Sequence, residues 1–257
     1  MSANKIIDSH THLCDAAFDA DRQEVLRRAG EAGVSVIITV SENLEDARKN
    51  LELAAQYPQL RPAAGLYPDC LDVEAAEAMV AFIRQERKKL LAIGEVGLDF
   101  WLVKEESARE VQREIFKRFI DLSLELKLPL NVHSRSAGRH VVSLLLAGAA
   151  KQVQLHAFDG KASAALPAVE AGFFFSIPPS VVRSRQKQKL VKQLPLSCLL
   201  IETDSPVLAP VPGERNEPAR AAAVVTAIAE LKDVSREEVL ETAFHNTCRL
   251  YGDIIAR

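Results

Sequence analysis

The length, composition and charge of the chain exclude several classes of protein. Its 257 residues are 48% hydrophobic and 26% charged, with a formal net charge of −3, which excludes a disordered chain and a broad basic surface for duplex nucleic acid. The four cysteines are far apart without a Cys-x-x-Cys pair, and no apolar run is as long as a membrane span. We therefore expect a cytoplasmic protein with free thiols that does not enter a membrane.

Short apolar runs alternate with amphipathic segments along the whole chain. The first predicted strand begins at Ile6, and a later strand begins at Leu130. Runs rich in β-branched or other apolar residues predict further strands over residues 34–40, 60–66, 90–96, 152–156, 173–177 and 198–202. Helical periodicity predicts helices over residues 21–32, 43–56, 73–87, 107–126, 138–147, 161–171, 181–194, 218–231 and 236–251.

Eight strands that alternate with helices predict a parallel sheet with helical crossovers. Eight such units in about 250 residues match the size of a closed (β/α)₈ TIM barrel, and nothing indicates a domain boundary within residues 1–257. An open doubly wound sheet is the alternative. A glycine-rich phosphate loop after the first strand would favour that alternative, and the sequence contains none there.

Histidine and acidic residues follow several of the predicted strands. His10 and His12 are two residues apart, so they share one face at the end of the first strand. A single His-x-His pair is weak evidence, but four other such side chains also close apolar runs: Glu95, His133, His156 and Asp204. Because barrel chemistry lies at the carboxyl ends of the strands, we expect these six side chains to meet.

Mixed imidazole and carboxylate ligands suit one or two divalent ions. We predict that His10, His12, Glu95 and Asp204 surround one ion, and that Glu95 bridges to a second ion held by His133 and His156. Such a pair can activate water for in-line displacement at phosphorus. Asp204 is the candidate to orient that water and take its proton. Taken singly, each side chain could instead be a hydrogen-bonded barrel residue.

Six blocks of sequence resemble the signature blocks of the TatD family of metal-dependent deoxyribonucleases, which belongs to the amidohydrolase-like barrel superfamily. They are Asp-Ser-His-Thr-His-Leu (8–13), Ile-Gly-Glu-Val-Gly-Leu-Asp (93–99), Leu-Pro-Leu-Asn-Val-His-Ser-Arg (128–135), Leu-His-Ala-Phe-Asp-Gly (155–160), Ile-Glu-Thr-Asp-Ser-Pro (201–206) and Arg-Asn-Glu-Pro (215–218). The fourth block, together with residues 176–180 and 188–195, most resembles the TatD domain-containing protein 3 subgroup.

The resemblance implies hydrolysis of DNA phosphodiester bonds, commonly from 3′ to 5′ on single strands or frayed ends. It also implies two divalent ions (Mg²⁺, Mn²⁺ or Zn²⁺) on the six residues named above, with a monomer expected. Glu202 is an occasional ligand or a residue behind the ligands. Family members usually carry a histidine where this chain has Tyr67, whose phenol can donate to a phosphate but is uncharged at neutral pH.

Several residues beyond the ligands are candidates to contact the substrate. Arg135 follows His133 by two residues, and its forked donors could bind a phosphate. Arg215 and Asn216, after the last strand, are second candidates, and Trp101 could stack a base. Rim ion pairs or loop packing are the alternatives for these residues. The basic run Arg183, Arg185, Lys187, Lys189 and Lys192 is favoured as a solvated helix face.

Two other functions stay open at this point. The same metal-activated water could attack a small ester, amide or phosphoester, as in other amidohydrolase-type enzymes, and the net charge of −3 does not favour a polyanion. A binding protein without catalysis is suggested only by Tyr67, and the complete ligand set argues against it. The resident metal does not follow from these ligand types.

Overall fold

The structure, a computed structural model, describes residues 5–252 and residue 254. The strands are β1 (Ile6–Thr11), β2 (Val34–Thr39), β3 (Leu60–Ala64), β4 (Ala92–Gly97), β5 (Leu130–His133), β6 (Val153–Leu155), β7 (Phe174–Ile177) and β8 (Leu199–Ile201). The α-helices are α1 (Arg22–Glu31), α2 (Leu44–Gln56), α3 (Val73–Glu86), α4 (Glu106–Leu126), α5 (Gly138–Ala147), α6 (Ala162–Glu170), α7 (Arg185–Gln193), α8 (Ala221–Lys232) and α9 (Arg236–Tyr251). Among these helices of the described chain, none combines the length and the apolarity needed to cross a bilayer.

The strands form one parallel sheet in sequence order from β1 to β8. Residues that follow β8 bring the two edges together: the Asp204 amide donates to the His10 carbonyl over 2.9 Å, and the His12 amide donates to Ser205 over 2.8 Å. The buried Asp8 carboxylate adds a link, because it accepts from the Thr203 amide over 2.8 Å and from its hydroxyl over 2.5 Å. The predicted (β/α)₈ barrel is thus confirmed, and the open sheet is excluded.

A layer of polar side chains fills the barrel beneath the carboxyl ends of the strands. Gln154 on β6 donates to the Ser9 hydroxyl on β1 over 3.1 Å and to the Ser176 hydroxyl on β7 over 2.8 Å. Asn131 on β5 reaches the Ser9 carbonyl over 3.0 Å, and the Tyr251 hydroxyl donates to Gln154 over 2.7 Å. Since β1 and β6 are not neighbours, these contacts cross the interior, and they give the strand ends above them a fixed floor.

The segment before β8 differs from its prediction as one helix. Residues 179–182 form a 3-10 turn, and α7 begins only at Arg185. The Ser184 hydroxyl accepts from the Lys187 amide over 3.3 Å, which is the bond of an N-terminal cap and starts a new helix there. A second 3-10 turn over Leu196–Cys198 delays β8 to Leu199. The break sets the rotation of α7 independently of the preceding turn.

Two glycines let β4 approach β5 closely. A Cβ atom at Gly94 would lie 2.6 Å from the Asn131 Cβ, and one at Gly97 would lie 2.2 Å from the His133 carbonyl oxygen. Gly97 also has a φ of +147°, which other residues rarely adopt. This close approach brings Glu95 on β4 beside His133 on β5.

Gly97→Ala is expected to lower the free energy of unfolding by on the order of 3 kcal/mol, because the new methyl overlaps a strand carbonyl and the backbone is strained. Gly30→Ala in α1 is the matched control. Apart from its chain neighbours and its own helix backbone, no atom of the described residues lies within 4 Å of the place that a Cβ would take there. Alanine also favours a helix, so this variant should gain about 0.5–1 kcal/mol of stability. Urea unfolding of both variants checks the pair, and equal midpoints would contradict this account.

Candidate metal centre

Glu95 lies between two pairs of histidines and is 1% exposed. Its Oε1 atom lies 2.6 Å from His133 Nδ1 and 2.7 Å from His156 Nε2. Its Oε2 atom lies 3.3 Å from His12 Nε2 and 3.7 Å from His10 Nε2. Each carboxylate oxygen therefore faces a different pair, which is the arrangement that a bridging ligand requires.

Asp204 completes the group around His10 and His12. Its Oδ1 atom lies 3.4 Å from the Nε2 atom of each histidine, and those two nitrogens are 3.3 Å apart. Asp204 has a φ of +55°, a left-handed conformation that is uncommon outside glycine and asparagine-like residues. The hydrogen bond from the Asp204 amide to the His10 carbonyl helps to hold this conformation. The same hydrogen bond closes the barrel, so closure also positions the Asp204 carboxylate.

Neighbouring polar side chains orient two of the imidazoles. His10 Nδ1 lies 2.8 Å from Asn131 Oδ1, which can only accept, so Nδ1 carries a proton and, in the neutral ring that a metal requires, Nε2 holds the lone pair. His133 Nε2 lies 3.2 Å from Asp99 Oδ2, which in the same way leaves Nδ1 free to face Glu95. Asp99 and Asn131 thus turn the lone pairs of His10 and His133 toward the centre.

Charges within the cluster keep both carboxyl groups ionised. Burial raises the pKa of Glu95, but the imidazoles of His156 and His133 lower it by more, so that its pKa is well below the ordinary value. Burial likewise raises the pKa of Asp204, and hydrogen bonds to His10 and His12 bring the net pKa below its usual range. Both residues therefore offer anionic oxygen ligands to a metal ion at neutral pH.

The residues fit divalent metal ions. His10, His12 and Glu95 form one group whose ligand atoms could hold an ion, Glu95, His133 and His156 form another, and His10, His156 and Glu202 form a third. Among the described residues, Glu95 Oε2 and His156 Nδ1 are buried polar atoms without a hydrogen-bond partner. Unpaired buried polar atoms are costly, and an ion beside Glu95 Oε2 would satisfy that oxygen.

A cavity of about 480 Å³ opens above the cluster. Tyr67 stands at its wall, where the hydroxyl donates to Asp99 Oδ2 over 3.1 Å and lies 3.4 Å from His133 Nε2. Arg135 also lines the cavity, and its guanidinium carbon lies 3.7 Å from the centre of the Trp101 ring. The side chains that line the cavity are His12, Glu42, Tyr67, Glu95, His133, Ser134, Arg135, His156, Ala157, Asp159, Lys187, Asp204, Val207 and Leu208.

The structure places the other two predicted substrate contacts elsewhere. Arg215 forms a two-pronged ion pair with Asp21 at 2.8 and 2.6 Å and also donates to the Ala17 carbonyl. Asn216 is fully buried and donates to the carbonyls of Thr203 and Val207. Because neither side chain lines the cavity, the structure gives no support to a phosphate contact by either and assigns both to the loop after β8.

One member of the basic run was predicted wrongly. Arg183, Arg185, Lys189 and Lys192 are exposed, as expected for a solvated face. Lys187 is instead 8% exposed and lines the cavity. The charge pattern did not predict the burial of Lys187, because that burial follows from the break before α7. The role of Asn131 beside the metal centre, in contrast, could have been predicted, because Asn131 lies two residues before His133 on β5 and so shares a face with it.

Glu202, the occasional ligand implied by the family resemblance, is fully buried behind His156. Its Oε1 atom accepts from the Ala157 amide over 2.8 Å, and its Oε2 atom accepts from the Ser176 hydroxyl over 2.5 Å. Oε2 lies 3.8 Å from His156 Nδ1. These bonds support the turn after His156, and Glu202 also forms a group with His10 and His156 whose ligand atoms could hold an ion.

Asn131→Leu is expected to weaken metal binding by about 10–100-fold, because His10 loses the acceptor that fixes its protonated nitrogen. Competition with a chelator measures the change. Tyr251→Phe is the control: it removes a buried hydroxyl that hydrogen-bonds Gln154 and Asn131 but does not touch His10. Equal losses in the two variants would show a general loosening of the interior and contradict the proposed role of Asn131.

A closed parallel barrel with this cluster at the carboxyl ends of its strands defines the class of metal-dependent barrel hydrolases. Residues 7–252 match the family model described as TatD related DNase. Deoxyribonuclease TATDN3 from Homo sapiens is 42% identical over 258 residues, covering 96% of this chain and 94% of the relative. The chain therefore belongs to the TatD-related DNase family, as its sequence blocks predicted.

Two further relatives agree with this assignment. The uncharacterized metal-dependent hydrolase YabD from Bacillus subtilis is 34% identical over 256 residues, covering 96% of this chain and 98% of that one. The crystal structure of YjjV, a TatD homolog from Escherichia coli, has a TM-score of 0.89 to this chain at 28% identity and covers 97% and 98% of the two chains. The match extends over the whole barrel.

Proposed function

We propose that this protein is a metal-dependent deoxyribonuclease that removes nucleotides from the 3′ ends of single-stranded DNA. The observation that carries the proposal is Glu95, whose two oxygens face two separate pairs of histidines. Family membership supports DNA as the substrate, because the human relative is named a deoxyribonuclease. The exonuclease direction rests on the family resemblance of the sequence blocks.

Two divalent ions would be held by six residues: His10, His12, Glu95, His133, His156 and Asp204. Such ions polarise phosphoryl oxygens and make water a strong nucleophile near neutral pH. Mg²⁺, Mn²⁺ and Zn²⁺ all accept mixed nitrogen and oxygen donors. The ionised carboxylates of Glu95 and Asp204 supply the negative charge that balances the ions.

The protein's own groups orient the substrate and move the proton. Asp204 lines the cavity as an anion and accepts the proton of the attacking water at its carboxylate. Arg135, at the cavity wall, offers paired N–H donors to phosphate oxygens. The Tyr67 hydroxyl, beside His133, has one neutral donor, which binds Asp99; to donate to a phosphate oxygen in place of the histidine usual in the family, it would exchange that bond.

A single-stranded oligonucleotide labelled at its 5′ end tests the proposal. With Mg²⁺, Mn²⁺ or Zn²⁺ we expect a ladder that shortens stepwise from the 3′ end, and a chelator should stop it. A substrate whose last two linkages are phosphorothioates is the control and should resist. Internal cuts at early times would replace the exonuclease with an endonuclease, and no cleavage with any of these ions would contradict the proposal.

Hydrolysis of a small ester, amide or phosphoester is the second candidate. The observation in its favour is the acidic wall of the cavity, where Glu42 and Asp159 would repel a polyanion. Competition separates the two functions: an oligonucleotide should inhibit hydrolysis of a small phosphodiester if DNA is the substrate. Undiminished hydrolysis at saturating oligonucleotide would favour the small substrate.

A further inference from the structure

Lys187 is a buried cation beside the metal centre. It lies in the first turn of α7, is 8% exposed and lines the same cavity as His156 and Asp204. Arg135, the other basic side chain of this cavity, is exposed and stacks on Trp101. Lys187 therefore differs from the surrounding basic residues both in burial and in the space that it faces.

The ammonium group uses only part of its hydrogen-bonding capacity. Its Nζ atom donates to the Phe158 carbonyl over 2.9 Å and to the Ala157 carbonyl. A protonated lysine has three N–H donors, so these two bonds leave one proton. In the part of the chain that the structure describes, no carboxylate oxygen lies within 4.0 Å of Nζ.

A purely structural role does not account for a charge at this position. Ala157 has a φ of +37°, and the Lys187 bonds help to hold this turn after His156. Glu202 already binds the Ala157 amide from the other side. A neutral amide could donate to the same carbonyls, whereas burial penalises an ammonium and lowers the pKa of Lys187 to about 8, even with the attraction of Asp159, Glu202 and Asp204, none of which forms an ion pair with it. The charge is explained if an anion enters the cavity.

We propose that Lys187 donates its third N–H to a phosphate oxygen of the substrate, next to the metal centre. This assignment rests on the proposed function, because it identifies the group that recognises phosphate. Within a low-dielectric cavity, a charge-assisted bond of this kind adds both affinity and orientation. Lys187 would thus select anionic phosphoesters over neutral esters at a metal centre that could act on either.

Binding of inorganic phosphate to the full-length protein saturated with Mn²⁺ tests this role without any need for turnover. Calorimetry should show at least about tenfold weaker phosphate binding in Lys187→Met, the change expected for one hydrogen bond to a charged group. Lys187→Gln keeps neutral donors for the two carbonyls and should lose phosphate binding equally. Lys187→Arg keeps the positive charge and should retain most of the phosphate binding.

Lys189→Met, which removes a lysine two residues away on the outer side of α7, is the matched control and should bind phosphate like the wild type. Manganese content is measured for each variant. If Lys187→Met and Lys187→Gln both bind phosphate like the wild type, the assignment is overturned. It is also overturned if Lys187→Met loses phosphate and manganese together while Lys187→Gln retains both, because Lys187 then only holds the turn.

The proposed function and the role of Lys187 can fail separately. A wild-type protein that does not cleave DNA, but whose phosphate binding depends on Lys187, would refute the nuclease and support the phosphate contact. A wild type that does cleave DNA, with phosphate binding unchanged in Lys187→Met and Lys187→Gln, would support the nuclease and refute the phosphate contact of Lys187.

Discussion

Glu95→Gln is expected to lower kcat/KM for DNA about a thousandfold, the rate equivalent of roughly 4 kcal/mol of transition-state stabilisation. The two oxygens of Glu95 lie beside different pairs of histidines, so one substitution disturbs both halves of the centre. An amide is neutral and offers only one oxygen. We therefore also expect fewer than two Mn²⁺ ions per chain, which metal analysis after dialysis measures together with the rate.

Glu42→Gln is the matched control for this change. Glu42 lines the same cavity and lies 3.7 Å from His12 Nδ1, but its side chain is 50% exposed and touches only one histidine of the cluster. Its replacement should change the rate by less than about tenfold, as expected for a solvated charge. A Glu95→Gln protein with wild-type rate and two bound ions would refute the bridging role.

The convergence of the six predicted ligands was foreseeable from periodicity alone. Each of them follows an apolar run, and parallel strands of a barrel place all their carboxyl ends on one face. Because side chains alternate along a strand, residues two apart, such as His10 and His12, point to the same side. Because these rules depend on backbone geometry, they hold without knowledge of side-chain contacts.

The residues whose contacts the sequence did not predict belong to loops and helix rotations. Arg215 follows β8 as a substrate ligand would, but Asp21 at the start of α1 captures its guanidinium with two bonds. Lys187 lies in a basic run, and only the 3-10 turn and the Ser184 cap turn it inward. Such outcomes depend on partners distant in sequence, which hydrophobic patterns do not encode.

Asp99 and Asn131 illustrate an intermediate case. Both lie in the sequence blocks that carry the family resemblance, yet neither was assigned a role from its residue type. Asn131 shares strand parity with His133, and Asp99 follows β4 by two residues. The sequence therefore could predict that they lie near the centre, but only the distances to His10 and His133 show that they orient imidazoles.

Asp204→Asn separates proton transfer from substrate binding. Asparagine keeps the shape of the side chain and tolerates the left-handed backbone of position 204, so the fold should persist. It cannot accept a proton from water at neutral pH. We expect kcat to fall by about 10²–10⁴-fold, the usual contribution of a positioned base, with KM for DNA changed by less than about threefold.

Asp159→Asn is the control for this substitution. Asp159 also lines the cavity, but one of its oxygens accepts from the Ser136 amide over 2.7 Å, and it has no contact with the histidine cluster. Its kcat should stay near that of the wild type. If Asp204→Asn instead raises KM while kcat is maintained, Asp204 binds substrate or metal without taking the proton, and another group must be the base. A kcat that falls only in Asp204→Asn, while both variants still bind two Mn²⁺ ions per chain, places the proton transfer on the residue that also closes the barrel.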